Sequence, residues 1–484
     1  MPTKERIALI NPPSPFLINE RVMPNLGLLY VATEMSRQGL DVRVFDFCGD
    51  PDYRERMRQV ALDGFDSYGF STTTPQFSQA YGLFRILKEH NPNAFAFIGG
   101  PHPTSVAPLK RKSELEGTLM DPNIAKLEEF DLVIEGDGEL AYAEISKEGP
   151  RWRAMPVNRD MDSIPIPNRD FYDIMSYHYR MAGRDATSII TQRGCPFKCD
   201  FCCGRDIPSY KISRLTSPKR VLEELDYLNG EFGFTAFIWG DDELNLNKKR
   251  MAEMAKLFKN KDYVHKSAAR PDLFVKFPET AEMAAEIGFV EICCGIESGS
   301  QRILNNIMKG TNVESNLESV ELLRRQGILY KAFIMLGHAG ETYEDVMMTR
   351  QWLLDAKPDF FDTALLQPYP GSIVYDRSVP STRFEGYGYS YGPRPNSPPE
   401  DRVYLNRPDF SERDSFYKGV PGKFVASTRT EALSAEDYLK LRDELEAEVK
   451  AKLYGTNGNK SKYLDDTRSR LAAAAVHGSQ RDYF

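Results

Sequence analysis

Short apolar runs of strand length alternate with helix-patterned segments up to about residue 367, and they do so in two separate blocks. That alternation restricts the chain to parallel sheets covered by helices, because parallel strands need a crossover element between them. In the first block Arg6–Asn11 reads as a strand, 26–38 as a helix closed by Gly39, and 42–47 as the next strand. Segments 66–71, 76–90 and 94–100 continue the series, and 131–135 is its last strand, followed by a loop at 136–139. The pattern predicts an α/β, flavodoxin/Rossmann-like doubly wound domain over residues 1–149, with its ligand at the carboxyl ends of the strands.

Residues 150–180 read as a linker, its first twenty residues rich in Pro, Arg and Asn and draped over the surface. Six apolar runs then recur at 188–191, 236–239, 264–269, 289–296, 330–336 and 361–367, which predicts a partial (β/α)6 barrel over 181–376. Helix signals keep the same register. Thr216-Ser217-Pro218 starts a helix at 219–229 that Gly230 stops, and Thr342 to Asp345 cap a helix at 346–356. The remainder, 377–484, reads as a mainly helical and irregular accessory region. In it 384–407 is a long ordered loop or substrate-facing excursion, the Tyr-rich stretch Tyr387–Tyr391 and the loop at Arg394 either line a substrate pocket or pack on the barrel, 434–453 is a charged amphipathic helix, and the residues after Tyr454 are frayed or disordered.

A length of 484 residues suits two domains with an accessory segment, and 41% hydrophobic with 27% charged residues is a globular balance. The net charge of −8, with no dominant Lys/Arg run, gives no basis for binding a phosphate backbone, so nucleic acid is not an expected partner. No apolar run approaches the ~20 residues that cross a bilayer, and the first residues lack a signal-peptide core. A cytoplasmic protein is expected. Seven cysteines, three of them within an eight-residue window, suit metal ligation in a reducing compartment better than a disulfide framework.

Those three are Cys195, Cys199 and Cys202, just beyond the first barrel strand, where barrel enzymes place their chemistry. Three thiolates can hold three irons of a cubane cluster and leave the fourth open to a small molecule. Structural zinc wants four closed ligands from paired motifs. No second Cys/His pair is available here, and Cys203 is adjacent to Cys202.

The C-x3-C-x2-C spacing, with Phe201 before the last cysteine, resembles the radical S-adenosylmethionine (SAM) superfamily motif. The chain is similar to members with an N-terminal cobalamin (B12)-binding-type domain. The likeness runs over most of 1–376 through Asn11-Pro12-Pro13, Leu26-Gly27-Leu28-Leu29-Tyr30, Gly99-Gly100-Pro101-His102-Pro103-Thr104 and Glu135-Gly136-Asp137-Gly138-Glu139.

That resemblance implies a [4Fe–4S] cluster on the three cysteines, SAM on the open iron, and an electron donor such as flavodoxin or ferredoxin. It implies that SAM is cleaved to a 5′-deoxyadenosyl radical that abstracts a substrate hydrogen. It also assigns Asp241, Asp242 and Glu243 to the SAM amino group, Glu297 and Gly295 to the SAM ribose, and Arg270 and residues 367–372 to the surroundings of SAM or substrate. A carboxylate beside an ammonium is physically sensible, and acidic residues are equally at home at a helix N-terminus.

Alternation along the strand places Cys293 on the face of Gly295 and Glu297. Cys293 also reads simply as a small buried hydrophobe. In residues 336–342 Ala339 replaces the usual Pro, and His338 is a structural residue or a proton carrier.

In the first domain Ser71, Thr72, Thr73, Gly99 and Gly100 fall at the binding edge, suited to embracing a corrin. No Asp-x-His-x-x-Gly follows the first strand, so bound cobalamin would take another lower ligand or none. The implied reaction is cobalamin-dependent methylation of an unactivated centre in a natural-product-like or lipid-like small molecule. The alternatives are a cobalamin-independent radical dehydratase, epimerase or rearrangement enzyme, and a non-catalytic cobalamin or SAM carrier.

Overall fold

A computed structural model describes residues 5–117, 121–145, 148–413 and 425–455. The first sheet contains β1 (Arg6–Asn11), β2 (Asp41–Asp46), β3 (Ser67–Ser71), β4 (Phe95–Gly99), β5 (Leu132–Glu135) and β6 (Trp152–Ala154). All pair in parallel in the order β2-β1-β3-β4-β5-β6. The order reverses between β1 and β3, which opens a crevice at their carboxyl ends. The helix Leu26–Arg37 enters beside it, with the Asn25 side chain accepting from the Leu28 N–H and Leu28, Leu29, Ala32 and Met35 buried.

The strand at 152–154 is a departure from the reading of 150–170 as a surface linker. Beyond β6 that segment runs between the two sheets rather than over them. Arg169 is fully buried, donating to Ser188 O at 3.0 Å and to Glu224 Oε1 at 3.2 Å, and Met161 and Ile164 pack with Leu26, Leu29 and Tyr30. Arg and Asn in a Pro-rich stretch gave no periodicity to reveal this, because Arg169 is held by partners distant in sequence rather than by a repeating apolar face.

The second sheet has β7 (Arg180–Met181), β8 (Arg184–Ile189), β11 (Ala236–Trp239), β12 (Val264–Ala269), β13 (Phe289–Glu297), β14 (Leu329–Leu336) and β15 (Phe360–Leu365). Six of these are parallel, and β7 folds back antiparallel on β8. Between β8 and β11 a small ribbon of β9 (Gln192–Arg193) and β10 (Arg214–Leu215) stands at the carboxyl end. The helix Pro218–Phe232 passes through Gly230 and stops at Gly233, whose φ of 76° is the left-handed cap; Gly230 has open space where a side chain would be, so nothing there breaks the helix. The capping box at Thr342 and Asp345 forms as expected.

The stretch expected as a loop at 384–407 instead supplies strands. β16 (Val379–Phe384), β17 (Tyr387–Tyr391), β18 (Val403–Leu405) and β19 (Thr428–Arg429) make an antiparallel sheet. The alternating Tyr residues pointed to β structure, and the Gly and Pro density concealed it. The helix Ala435–Tyr454, capped by Ser434, lies along β15. Glu446 Oε1 accepts from Thr363 N at 2.8 Å and Arg442 Nε donates to Thr363 O at 3.0 Å, so side chains of the helix satisfy the exposed edge of the half-barrel. The frayed segment expected after Tyr454 lies, from 456 on, outside the described residues.

Candidate active site

The cysteines lie on the loop that the β9–β10 ribbon carries. Gly194 starts it at φ 84°, and a Cβ there would fall 2.2 Å from Ile212 O, so only glycine fits. The Cys195 N–H donates to Tyr210 O at 2.7 Å. Cys199 is buried, Cys195 half-buried and Cys202 exposed, and all are free thiols.

The cation supply converges on Cys199. Arg270, at the end of β12, places Nη1 3.9 Å from Cys199 Sγ, donates from Nη2 to Lys309 O at 2.7 Å and from Nε to Asp272 at 2.9 Å, and stacks over Phe197 at 3.7 Å. Burial pushes the Cys199 thiol up, and Lys309 and Arg270 pull it down. Burial raises the Cys195 thiol to about 11, with Glu243 and the other two cysteines adding to the rise.

Lys309 pairs with Glu297 at 2.9 Å, both deeply buried. Glu297 adopts φ 63°, an uncommon conformation for a residue with a side chain, at a register shift in β13. A Cβ on Gly295 would lie 2.4 Å from Glu297 Oε1 and 2.8 Å from Lys309 Nζ, so the missing side chain makes room for the ion pair.

The acidic run behaves differently from residue to residue. Asp241 accepts from Thr191 N at 2.6 Å, Thr191 Oγ1 at 2.5 Å and Gln192 N at 3.0 Å, and Asp242 accepts from Gly194 N at 2.5 Å. These two carboxylates therefore anchor the strand exit that leads into the cysteines. Glu243 holds the Arg270 N–H at 2.8 Å, and burial raises its carboxyl to about 7.

Cys293 sits deeper in the lumen, 3.8 Å from Glu291, while Cys294 is buried on the helix side, as the strand alternation predicts. His338 is buried 5.7 Å from the Phe201 ring, and burial lowers it to about 3, which leaves it neutral. Tyr391 is buried near Asp200, between two of the cysteines, whereas Arg394 is an exposed turn residue whose N–H donates to Ser397.

At the first domain's edge the predicted residues do come together. Ser71 Oγ is 3.4 Å from Asn25 Nδ2, which also donates to Asn11 at 3.0 Å. Thr72 is turned inward, its carbonyl accepting from His102 N at 3.0 Å, and Thr73 caps the turn Thr74–Gln76. Gly100 has φ 99°, and a Cβ would lie 2.9 Å from Thr72 O. His102 is locked, with Nδ1 3.1 Å from Thr74 Oγ1 and its ring on Phe77 at 4.1 Å.

Sequence reasoning missed Lys309 and the arginines Arg193 and Arg214. A lysine inside Ile307-Met308-Lys309-Gly310 is the signal that could have found the first, since nothing in that apolar stretch calls for a charge. Arg193 ion-pairs with Glu139 at 2.6 Å and with Asp137 at 3.5 Å, and Arg214 donates to Asp137 at 3.2 Å.

The profile described as B12 binding domain matches residues 20–146, and the Radical SAM superfamily profile matches 189–353. The chain carries a B12-binding domain ahead of a radical SAM domain. It is an enzyme with methyltransferase relatives. An uncharacterized methyltransferase of Pyrococcus horikoshii is 28% identical over 401 residues, covering 77% of this chain and 83% of that one. The cytidylyl-2-hydroxyethylphosphonate methyltransferase of Streptomyces wedmorensis is 22% identical, covering 73% and 77%. In fold, the chain is similar to the radical SAM methyltransferase TsrM from Kitasatospora setae, solved with cobalamin and a [4Fe–4S] cluster bound, at a TM-score of 0.60 and 15% identity over 77% of each chain.

The residues present fit a cubane cluster. Among the described residues no three His, Cys, Asp or Glu converge as around one ion, and a cubane spreads its thiolates over separate irons. Cys199 has two cations to favour its thiolate. Burial raises the Cys203 thiol, with Cys202 and Asp376 adding to the rise. Among the described residues the first domain offers no histidine to cobalt, since His102 is buried and His90 lies at the far end of its helix.

Proposed function

We propose that this chain is a cobalamin-dependent radical SAM methyltransferase acting on an unactivated centre of a natural-product-like or lipid-like small molecule. One observation carries the reading: the carboxyl edge of the first sheet and the cysteine loop at the carboxyl end of the half-barrel touch, through the pairs of Asp137 and Glu139 with Arg193 and Arg214. A methyl carrier and a radical source must face the same substrate, and this contact brings their two binding edges together.

In this reading Cys195, Cys199 and Cys202 hold the cluster, Arg270 and Lys309 offset part of the burial that pushes the Cys199 thiol up, and the Glu297–Lys309 pair borders the lumen where the SAM ribose lies. Glu243, with its carboxyl raised by burial, lines the place for the SAM ammonium, while Asp241 and Asp242 fix the loop that presents the cysteines. Ser71 with the backbone at Gly99 and Gly100 forms the shelf for the corrin, and Thr72 and Thr73, whose hydroxyls are engaged in local turns, support it from behind. When bound, the cluster supplies the electron that cleaves SAM, and cobalamin supplies the methyl group. The lumen floor is held by Lys266–Glu291 at 2.9 Å and Lys331–Asp362 at 2.7 Å.

The test is product analysis of the reconstituted protein with SAM and a strong reductant, with and without hydroxocobalamin. The reading predicts one equivalent of S-adenosylhomocysteine that depends on cobalamin. Formation of 5′-deoxyadenosine alone, indifferent to cobalamin, would instead assign the chain to radical dehydration, epimerisation or rearrangement, and no SAM cleavage at all would leave a carrier.

A further inference from the structure

Two motifs of the first domain, residues 99–104 and 135–139, lie against the cysteine ribbon, and Thr104 in the first has no part in the chemistry just described. Thr104 is fully buried; its hydroxyl donates to Gly100 O at 2.8 Å and accepts from Gly136 N at 3.1 Å, and it neighbours the Tyr210 phenol. Tyr210 in turn accepts the Cys195 N–H on its carbonyl and packs its Cβ against Gly204, two residues past Cys202.

The second motif grips the ribbon on both sides of the cysteines. Arg193 precedes them and Arg214 follows them, and Asp137 bonds to both. Glu139 adds a second carboxylate to Arg193 at 2.6 Å, and Arg214 carries the link onward by donating to Ser209 O at 2.8 Å, next to Tyr210. Asp137, Glu139 and Arg214 are all nearly inaccessible to solvent, so these are desolvated, hydrogen-bonded charges rather than rim contacts, and removing one partner strands the other.

We propose that Thr104, Asp137 and Tyr210 are positioning residues through which the first domain sets the geometry of the cysteine loop. The inference rests on the assignment of the cluster to Cys195, Cys199 and Cys202. A purely cohesive interface would scatter its contacts over both surfaces. Here one carboxylate of the first domain holds the two arginines that bracket the motif, and one hydroxyl lies beside Tyr210, whose carbonyl accepts the Cys195 N–H. The same Thr104 hydroxyl holds Gly100 and Gly136, so two loops at the edge of the first domain share one hydrogen-bond centre next to the residue that holds Cys195.

The experiment uses the full-length, iron-reconstituted protein without cobalamin and compares Thr104→Ala, Thr104→Ser, Tyr210→Phe and Asp137→Asn with the parent. Read-outs are iron per chain, the electron paramagnetic resonance spectrum of the reduced cluster, and the SAM concentration that half-perturbs that spectrum. T104A and Y210F are expected to keep about four irons while the spectrum shifts and the SAM midpoint rises at least threefold. D137N should raise it more, and T104S should restore parental behaviour. Full iron with a parental spectrum and SAM midpoint in both T104A and Y210F overturns the inference and leaves the cluster assignment standing. A parent chain that binds no iron overturns the cluster assignment, and the inference with it. T104A and Y210F remove only small groups and keep the decision available even if D137N fails to fold.

Discussion

The two binding edges of this molecule are built from opposite materials. At the half-barrel, Cys199, Arg270, Lys309, Glu297 and Glu243 form a linked set of charged groups, joined in part through the backbone N–H of Arg270 and the carbonyl of Lys309. At the first domain, the crevice between β1 and β3 is lined by Asn11, Asn25, Ser71 and backbone at Gly99 and Gly100, with amides and hydroxyls satisfying one another. A site that must hold a charged cluster and drive an electron transfer needs fixed charges, which are costly to bury and therefore come paired. A site that holds a large, preformed ring needs shape and backbone approach, which small residues supply. The contrast teaches where each half is vulnerable: the barrel to loss of a charge, the first domain to gain of an atom.

Substitutions can break that contrast, and the largest effect is expected at the barrel. Cys199→Ala should abolish SAM cleavage and lower iron per chain, measured by product chromatography and metal analysis, while cobalt retention in the first domain stays at the parental level. Lys309→Met leaves Glu297 buried without its cation, and a loss of about 3–5 kcal/mol in unfolding free energy is expected from denaturant titration. Glu297→Gln in the same background should recover part of it, because the stranded charge is then gone.

The converse holds in the first domain. Gly100→Ala forces a side chain against Thr72 O at a backbone conformation that disfavours it, and about 1–3 kcal/mol of strain is expected. Cobalt retention should fall at least tenfold with iron unchanged. Equal losses of iron and cobalt in this variant would remove the distinction between the two edges.

The smallest effect concerns pH. Burial raises the Glu341 carboxyl to about 8, above its unfolded value of 4.5. A group raised on folding stabilises fully below its unfolded value and loses that contribution as pH rises toward the folded one. Stability should therefore decline between about pH 4.5 and 8 in part through Glu341, and thermal melts of Glu341→Gln should show a shallower decline over that window.

Legibility followed the same division. The strand alternation gave the first five strands of the first sheet and the six parallel strands of the second, because apolar period and crossover length are local properties, and it missed the short β6 and β7. The three cysteines stood out by their spacing, and Glu297 and Arg270 were named from the family resemblance; the structure puts Arg270 beside Cys199 and Glu297 on Lys309 at the carboxyl end of the half-barrel. Lys309 was not, since it reaches Glu297 from a loop twelve residues later through the fold rather than through any pattern. Asp137 and Glu139 were visible as a motif but not as partners of Arg193 and Arg214, because an ion pair between domains leaves no periodic trace in either. The β-sheet at 379–429 hid behind Gly and Pro, and Thr72 and Thr73, read as ligand-facing hydroxyls, are occupied with local turns.

The central claim is that this one chain brings a cluster and a corrin to a shared substrate. It is tested most directly by iron and cobalt content after anaerobic reconstitution with hydroxocobalamin and removal of the excess. The account predicts about four irons and close to one cobalt per chain. Four irons with no retained cobalt would contradict it and leave the first domain as a scaffold for a cobalamin-independent radical enzyme.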